Sequence, residues 1–370
     1  MKQDEQLYTL ALTRIPGLGH TTVCNLIKAV GSATEIFNNR KSLPELIPGA
    51  SIKLVQALNC PEAFQRAEKE LIYAEKNRIQ CITITDENYP ARLRECNDAP
   101  IALFFRGNIP LNTLHIVSIV GTRHSTAYGL DICNNFIADL SQLVPDVLIV
   151  SGLAYGIDII AHRAALQNNL NTVGVLAHGL DRIYPSAHRA VAIKMMEQGG
   201  LLTEFMSETN PDRQNFVKRN RIVAGMADVT IVVESAAKGG ALITAELAES
   251  YHRDCFAFPG RCTDTYSVGC NELIRTNRAS ILTNAQDFVE SMGWLQTKQK
   301  ENVQRKLFPD LNNEEQCIVN LLQKHTEGLQ INTLVVQADL PISQLSTLLF
   351  ELEMKGVVKA MAGGVYKIID

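Results

Sequence analysis

Between residues 79 and 293 short β-branched runs alternate with stretches of helical periodicity, and this alternation restricts the fold more than any other feature of the chain. The runs are "CITIT" at 81–85, "HIVSIV" at 115–120, "VLIV" at 147–150, "TVGVLA" at 172–177, "LLTE" at 201–204, "VTIVV" at 229–233 and "CFAFP" at 255–259. Helical stretches at 126–143, 157–168, 187–198 and 241–252 lie between them. Repeated strand, crossover helix and strand give βαβ units, which predicts an α/β fold around an extended, mostly parallel, Rossmann-like sheet. Such sheets bind ligands just beyond the carboxyl ends of their strands. The loops that follow the runs are therefore where function should sit.

The flanks differ from this centre. Residues 5–76 show helical periodicity, with a Pro-Gly turn before each of two amphipathic stretches, "RIPGLGHTTVCNLI" at 14–27 and "LPELIPGASIKLVQAL" at 43–58. That layout resembles a pair of helix-hairpin-helix units, whose glycine-flanked turn offers N–H groups to a phosphate. A plain helical packing domain is the equal alternative, because only the first copy has both glycines, Gly17 and Gly19. Residues 296–312 are polar and charged and read as a linker. Helical segments at 313–324, 331–338 and 342–355, then a hairpin turning at Gly363 and Gly364, follow the order of a winged helix. Charge argues against duplex DNA as its ligand. Residues 310–370 hold eight acids against four lysines, a net of −4, which favours a protein contact. The predicted division is 1–78 helical, 79–295 Rossmann-like, 296–312 linker and 313–370 winged helix.

With 370 residues, 46% hydrophobic and 20% charged, the chain is expected to form a soluble protein of two or three domains. It has no apolar run of the ~18 residues that span a bilayer, and "MKQDEQLYTL" lacks a signal-peptide layout, so a cytoplasmic protein without membrane contact is expected. None of the nine cysteines forms a CxxC pair, and Cys255, Cys262 and Cys270 have no histidine at zinc spacing. Reduced thiols, with no metal and no cofactor, are the expectation. A formal charge of −4 excludes a protein that coats nucleic acid with its whole surface; any anion site must be local.

Four segments supply such a site. "GTRHSTAYG" follows the run 115–120, and Gly121 and Thr122 there offer backbone donors beside Arg123, whose guanidinium suits bidentate contact with a phosphate or a surface ion pair. In "SGLAYGID", Gly152 permits close approach and Ser151 offers a hydroxyl, while Asp158 and His162 at i and i+4 fit a helix start better than a metal or general-base pair. "ESAAKGGALITAE" adds Lys238, Gly239 and Gly240 before a helix. "NFVKRNRIVAG" concentrates Lys218, Arg219 and Arg221 with Asn220 beside Phe216, an aromatic that either stacks on a base or packs inside. The spacings are neither GxGxxG nor GxxxxGK[ST], so neither a dinucleotide site nor a P-loop is predicted. A row of phosphate sites along one sheet edge fits this inventory.

Eight stretches in one order, "SIVGTRHSTAYG", "SGLAYGIDIIAHRAAL", "TVGVLAHGLDRIYPSAH", "GGLLTEF", "NFVKRNRIVAG", "GGALITAELA", "FAFPG" and "GCNELI", closely resemble the DNA-processing protein A (DprA, or Smf) family over about residues 80–280. The resemblance implies a single-stranded DNA-binding protein, without a catalytic residue, that forms homodimers. It also implies loading of the RecA recombinase onto DNA for homologous recombination during natural transformation of competent cells. By match of motif, Arg123 looks like the family's DNA-contacting arginine, and Arg213 with Phe216 like its pocket cation and aromatic. The sequence departs from the family at Val217 and Lys218, where proline and arginine are common, and at Gly239 and Ala241, where serines are common. Hydroxyl contacts from the last loop are accordingly in doubt. An enzymatic alternative rests on "GGALITAE" with Arg221, similar to the catalytic loop of nucleoside-monophosphate phosphoribohydrolases, in which Glu246 would cleave a glycosidic bond. The proline and the Gly-Thr pair of that loop are absent.

Overall fold

The computed structural model describes residues 2–46, 52–294, 311–325, 327–361 and 363–369. The turn of the second helical hairpin at 47–50, and all of the expected linker except residues 311 and 312, lie outside the described residues.

Six helices come first: α1 (Lys2–Leu12), α2 (His20–Val30), α3 (Ala33–Asn38), α4 (Leu43–Leu46), α5 (Ile52–Ala57) and α6 (Pro61–Lys76). An aromatic cluster of Tyr8, Phe37 and Phe64 joins α1, α3 and α6, with ring centroids 5.0–5.9 Å apart. The amino end of α3 is capped twice. Ser32 Oγ accepts from Glu35 N, and the Glu5 carboxylate accepts from Ala33 N and Thr34 N.

The centre is a nine-stranded sheet of β1 (Gln80–Thr83), β2 (Ala102–Gly107), β3 (Ile116–Val120), β4 (Leu148–Ser151), β5 (Thr172–Val175), β6 (Gly199–Thr203), β7 (Val229–Val232), β8 (Asp254–Ala257) and β9 (Ser280–Ile281). Its spatial order is β1-β2-β6-β5-β4-β3-β7-β8-β9, parallel from β6 to β9. The helices around it are α7 (Ala91–Arg94), α8 (Ala127–Leu143), α9 (Ile157–Gln167), α10 (Arg189–Glu197), α11 (Arg213–Met226), α12 (Gly240–Ser250), α13 (Val268–Arg275) and α14 (Ala285–Ser291). Alternation along β3 splits the core: Val117 and Ile119 pack with Phe136 of α8, Ile160 of α9 and Phe288 of α14, while Ile116 and Val120 pack with Ile222 of α11 and Ala245 of α12. Both faces are covered, which explains why the parallel strands read as unbroken apolar runs.

Two features escape the β-branched pattern. The run "ALFFRG" is β2, antiparallel to both β1 and β6, and so lies outside the parallel βαβ rhythm. Strand β6 begins two residues before "LLTE", at Gly199 and Gly200, and position 200 takes glycine because a Cβ there would stand 2.3 Å from the Phe105 ring. Glycine carries no strand signal, so the earlier start is invisible to periodicity.

The carboxyl-terminal residues form the expected winged helix from α15 (Asn313–Gln323), β10 (Leu329–Gln330), α16 (Ile331–Ala338), α17 (Ile342–Met354), β11 (Val358–Met361) and β12 (Val365–Ile368). A capping box between Asn312 and Glu315 starts α15. The module seats on the amino edge of the main sheet. Asn332 Nδ2 donates to Asp228 O, Arg253 donates to Asn332 Oδ1 and to Arg92 O, and Gln330 Nε2 donates to Asp254 Oδ2. Among the described residues no helix is long and apolar enough to cross a membrane.

Candidate nucleic-acid interface

The chain winds outward from β3 through β4 and β5 to β6, then returns across the sheet to place β7 on the other side of β3. The strand order therefore reverses between β3 and β7, and an open α/β sheet forms its ligand crevice at the carboxyl side of such a point. A cavity of about 580 Å³ lies there. The loop after β3 contributes Gly121, Thr122 and Arg123, the loop after β7 contributes Lys238 to Gly240, and one flank of α11 contributes Arg213, Phe216 and Asn220. These come from the same segments that the sequence singles out.

The loops differ in what they have left to offer. At the first, Thr122 N donates to Glu234 O at 2.7 Å, and Thr126 at the start of α8 donates to the Glu234 carboxylate through both N, at 3.0 Å, and Oγ1, at 2.6 Å. Glu234 is 2% exposed, so the anion at this helix end is the protein's own. Gly121 and Thr122 thus shape the wall, since a Cβ at Gly121 would stand 2.4 Å from Ile157. At the second loop, the Ser151 hydroxyl is buried and donates to Ile119 O at 2.6 Å, so the expected phosphate contact from Ser151 is not available. Gly152 is needed there because a Cβ would stand 2.0 Å from Arg219 Nη1. The third loop keeps some of its donors: Gly239 N donates to Ala236 O and Leu242 N to Gly239 O, but no side chain or carboxylate fills the helix end. Helix α12 has no side-chain cap, a Cβ at Gly240 would meet nothing within 4 Å, and exposed Lys238 stands beside it. The expected row of backbone anion sites reduces to this one.

Helix α11 divides the cation cluster in a similar way. Successive residues advance about 100° around a helix, so Lys218, Arg219 and Arg221 point in different directions. Arg219 is 3% exposed and donates to Val175 O, forming a floor under the cavity. Burial pulls its guanidinium below the ordinary value, opposed by the Asp158 carboxylate. Burial raises Asp158 in turn, opposed by Arg219. Arg221 pairs with Glu204 and does not line the cavity. Lys218 is exposed on the far flank of α11 and lines a different cavity. The single groove expected to gather Arg123, Arg213, Lys218, Arg219 and Arg221 is therefore corrected to Arg123, Arg213 and Lys238 at the rim with Arg219 beneath.

Phe216 is half-buried, with the Arg123 guanidinium 5.1 Å and that of Arg219 6.0 Å from its ring centroid. Tyr184, 47% exposed, meets it edge-on at 6.0 Å. No sequence pattern singles out Tyr184, nor Glu204 and Glu234, although Glu204 directly follows β6 and Glu234 lies two residues past the end of β7. His162 Nδ1 shares a hydrogen bond with Thr172 Oγ1, and burial holds the ring near 3, so it does not face a ligand with Asp158. Glu246, the glutamate of the hydrolase alternative, is exposed, 3.6 Å from Arg278, and does not line this cavity. Burial pushes the thiols of Cys81, Cys96, Cys133, Cys255 and Cys270 up to about 12, so they stay protonated at neutral pH.

A model of the DNA recombination-mediator protein A family matches residues 80–293, and one of the DprA winged helix domain matches residues 306–364. The chain belongs to the DNA recombination-mediator protein A family. A DprA-type DNA processing protein of Mycobacterium tuberculosis is 36% identical over 65% of this chain and 64% of that relative, a little under two thirds of its length. Among solved structures, DNA processing protein A from Streptococcus pneumoniae matches at 32% identity and a TM-score of 0.58, over 74% of this chain and 97% of that one. DNA processing protein A from Helicobacter pylori, solved for its single-stranded DNA binding mode, matches at 30% identity and a TM-score of 0.52, over 58% and 95%. The family match from 80 to 293 takes in both strands that frame the cavity.

Proposed function

We propose that the protein is a single-stranded DNA-binding recombination mediator. It holds an incoming strand at the carboxyl side of the β3–β7 switch point, and as a cytoplasmic homodimer it helps to load RecA during natural transformation. The observation that carries the binding step is Phe216, held under the Arg123 guanidinium in a cavity rimmed by Arg213, Lys238 and the uncapped end of α12. Cations there meet phosphates and the aromatic meets a base, the combination that single-strand sites share. The single-stranded DNA named for the Helicobacter pylori relative supports the same ligand here. Duplex is excluded because paired bases cannot splay into such a pocket. Binding without cleavage is favoured because Glu246 does not line the cavity.

The test is a fluorescence titration comparing a single-stranded oligonucleotide, the matching duplex and AMP. The single strand should bind most tightly; preference for AMP would revive the hydrolase reading. Arg123→Ala should lower single-strand affinity about tenfold whatever the sequence and flatten the salt slope by about 0.7, the contribution of one single-strand phosphate. Unchanged affinity at several salt concentrations would remove Arg123 from the site. Deleting 310–370 should change that affinity by less than about twofold, because the module is acidic and sits on the opposite edge of the sheet. A large loss would assign DNA contact to the winged helix.

A further inference from the structure

The far flank of α11 faces a second cavity, of about 390 Å³, that the first site leaves unexplained. Lys218 and Asn215 form one wall, the turn from Thr13 to His20 another, and residues 100–102 and 204–206 close the base. Its size falls within the ~300–1,000 Å³ of ordinary ligand pockets. Ile101, Phe205 and Met206 supply an apolar surface, and exposed Arg14 and Lys218 stand at the mouth.

Glu204 makes this more than a gap between helices and sheet. One of its oxygens pairs with Arg221 Nη2, while Glu204 Oε1 and Arg221 Nη1 are both buried with no hydrogen-bond partner. A buried acceptor without a donor is costly, and a ligand that brings an N–H removes that cost. The turn itself is the complete copy of the hairpin signature. Gly17 adopts φ +77°, side chains at Gly17 or Gly19 would meet nothing within 4 Å, and Gly19 precedes α2 as an N-cap with no side-chain cap bond. Free helix-end donors beside two cations suit a phosphate. Apolar walls with one unmet acceptor suit a nucleobase, since every base carries an N–H on its pairing edge.

We propose that this second cavity is a nucleotide subsite for the same single strand, which crosses α11 after leaving the first cavity. A base enters between Phe205 and the hairpin and donates to Glu204 Oε1, while its phosphates lie between Arg14, Lys218 and the amino end of α2. The proposal rests on the single-strand reading above and adds a second contact to it. It gives Lys218 the DNA role that its sequence context suggests, at a different place from Arg123.

Binding of labelled oligonucleotides of about 6 and about 20 nucleotides to the full chain tests it, the short one filling a single subsite. Arg14→Ala with Lys218→Ala replaces only exposed side chains. The double variant should lose about tenfold for the long strand, with a salt slope lower by about 1.4 for two phosphates, and nothing for the short one. A long strand with abasic sugars in either terminal half should lose the same sensitivity in one of the two orientations. Arg123→Ala, by contrast, should weaken both lengths. If the double variant binds the long strand as the native protein does, or if abasic sugars in neither half matter, the second subsite does not exist while the first stands. If the native protein binds neither length, both readings fall.

Discussion

Truncating Phe216 to alanine is expected to weaken binding of a single-stranded oligonucleotide by about 1–3 kcal/mol, the range for removing one base-stacking aromatic. The ring is held on three sides: by Arg123 at 5.1 Å, by Arg219 at 6.0 Å and by the edge of Tyr184 at 6.0 Å. Alanine removes the platform and also the face on which the Arg123 guanidinium rests. Tyrosine at 216 keeps a ring of similar size and should retain most of the affinity. Anisotropy titrations over a range of salt concentrations separate this effect from loss of a cation. The Phe216→Ala line should move down without changing slope, because no phosphate contact has been removed, whereas Arg123→Ala changes the slope. Affinity equal to that of the native protein would make Phe216 a packing residue.

The largest effect on stability should come from Asp228→Ala. Asp228 and Arg92 form an ion pair at 2.6 Å with side chains 0% and 1% exposed. Asp228 Oδ2 also accepts from Ile116 N at the start of β3, and Arg92 donates to Thr113 O and Leu114 O. Alanine leaves a guanidinium in the core with no counter-charge, a change that costs about 3–5 kcal/mol. The urea midpoint should fall accordingly with little change in m-value. Asp228→Asn keeps an acceptor for Ile116 N and should be milder. The loss should also loosen the winged helix, since Asn332 bonds to Asp228 O and to Arg253, and Arg253 to Arg92 O. Faster proteolysis near Gln330 in Asp228→Ala than in the native protein would register this. A midpoint within error of the native one would mean that water reaches Arg92.

Much of the architecture was legible because it depends on local pattern. The parallel strands announce themselves as β-branched runs, since burial on both faces leaves no polar position in β3 other than Ser118, whose hydroxyl pairs with that of Thr230. The winged helix was legible too, with three helices and a Gly-Gly hairpin in the expected order. Strand β2 and the first two residues of β6 were not. One is antiparallel, and the other is built from two glycines, Gly199 packed against the Thr172 backbone and Gly200 against the Phe105 ring.

For the site, the sequence determined which loops carry donors and that they belong at the carboxyl edge of the sheet, whereas the strand order that sets the segments after β3 and β7 side by side is tertiary. The sequence left open whether Phe216 faces a ligand or the core, and the structure sets the ring under the Arg123 guanidinium. Only the tertiary structure decided which donors remained free. Glu234 fills the amino end of α8 from 108 residues away in sequence, and Ser151 is taken by a carbonyl 32 residues away. Neighbouring cations on α11 part company because each residue turns the helix by about 100°, so adjacency along the chain becomes divergence in space. Composition records that the charges exist; which of them a ligand meets depends on long-range partners and helix phase, which local pattern does not carry.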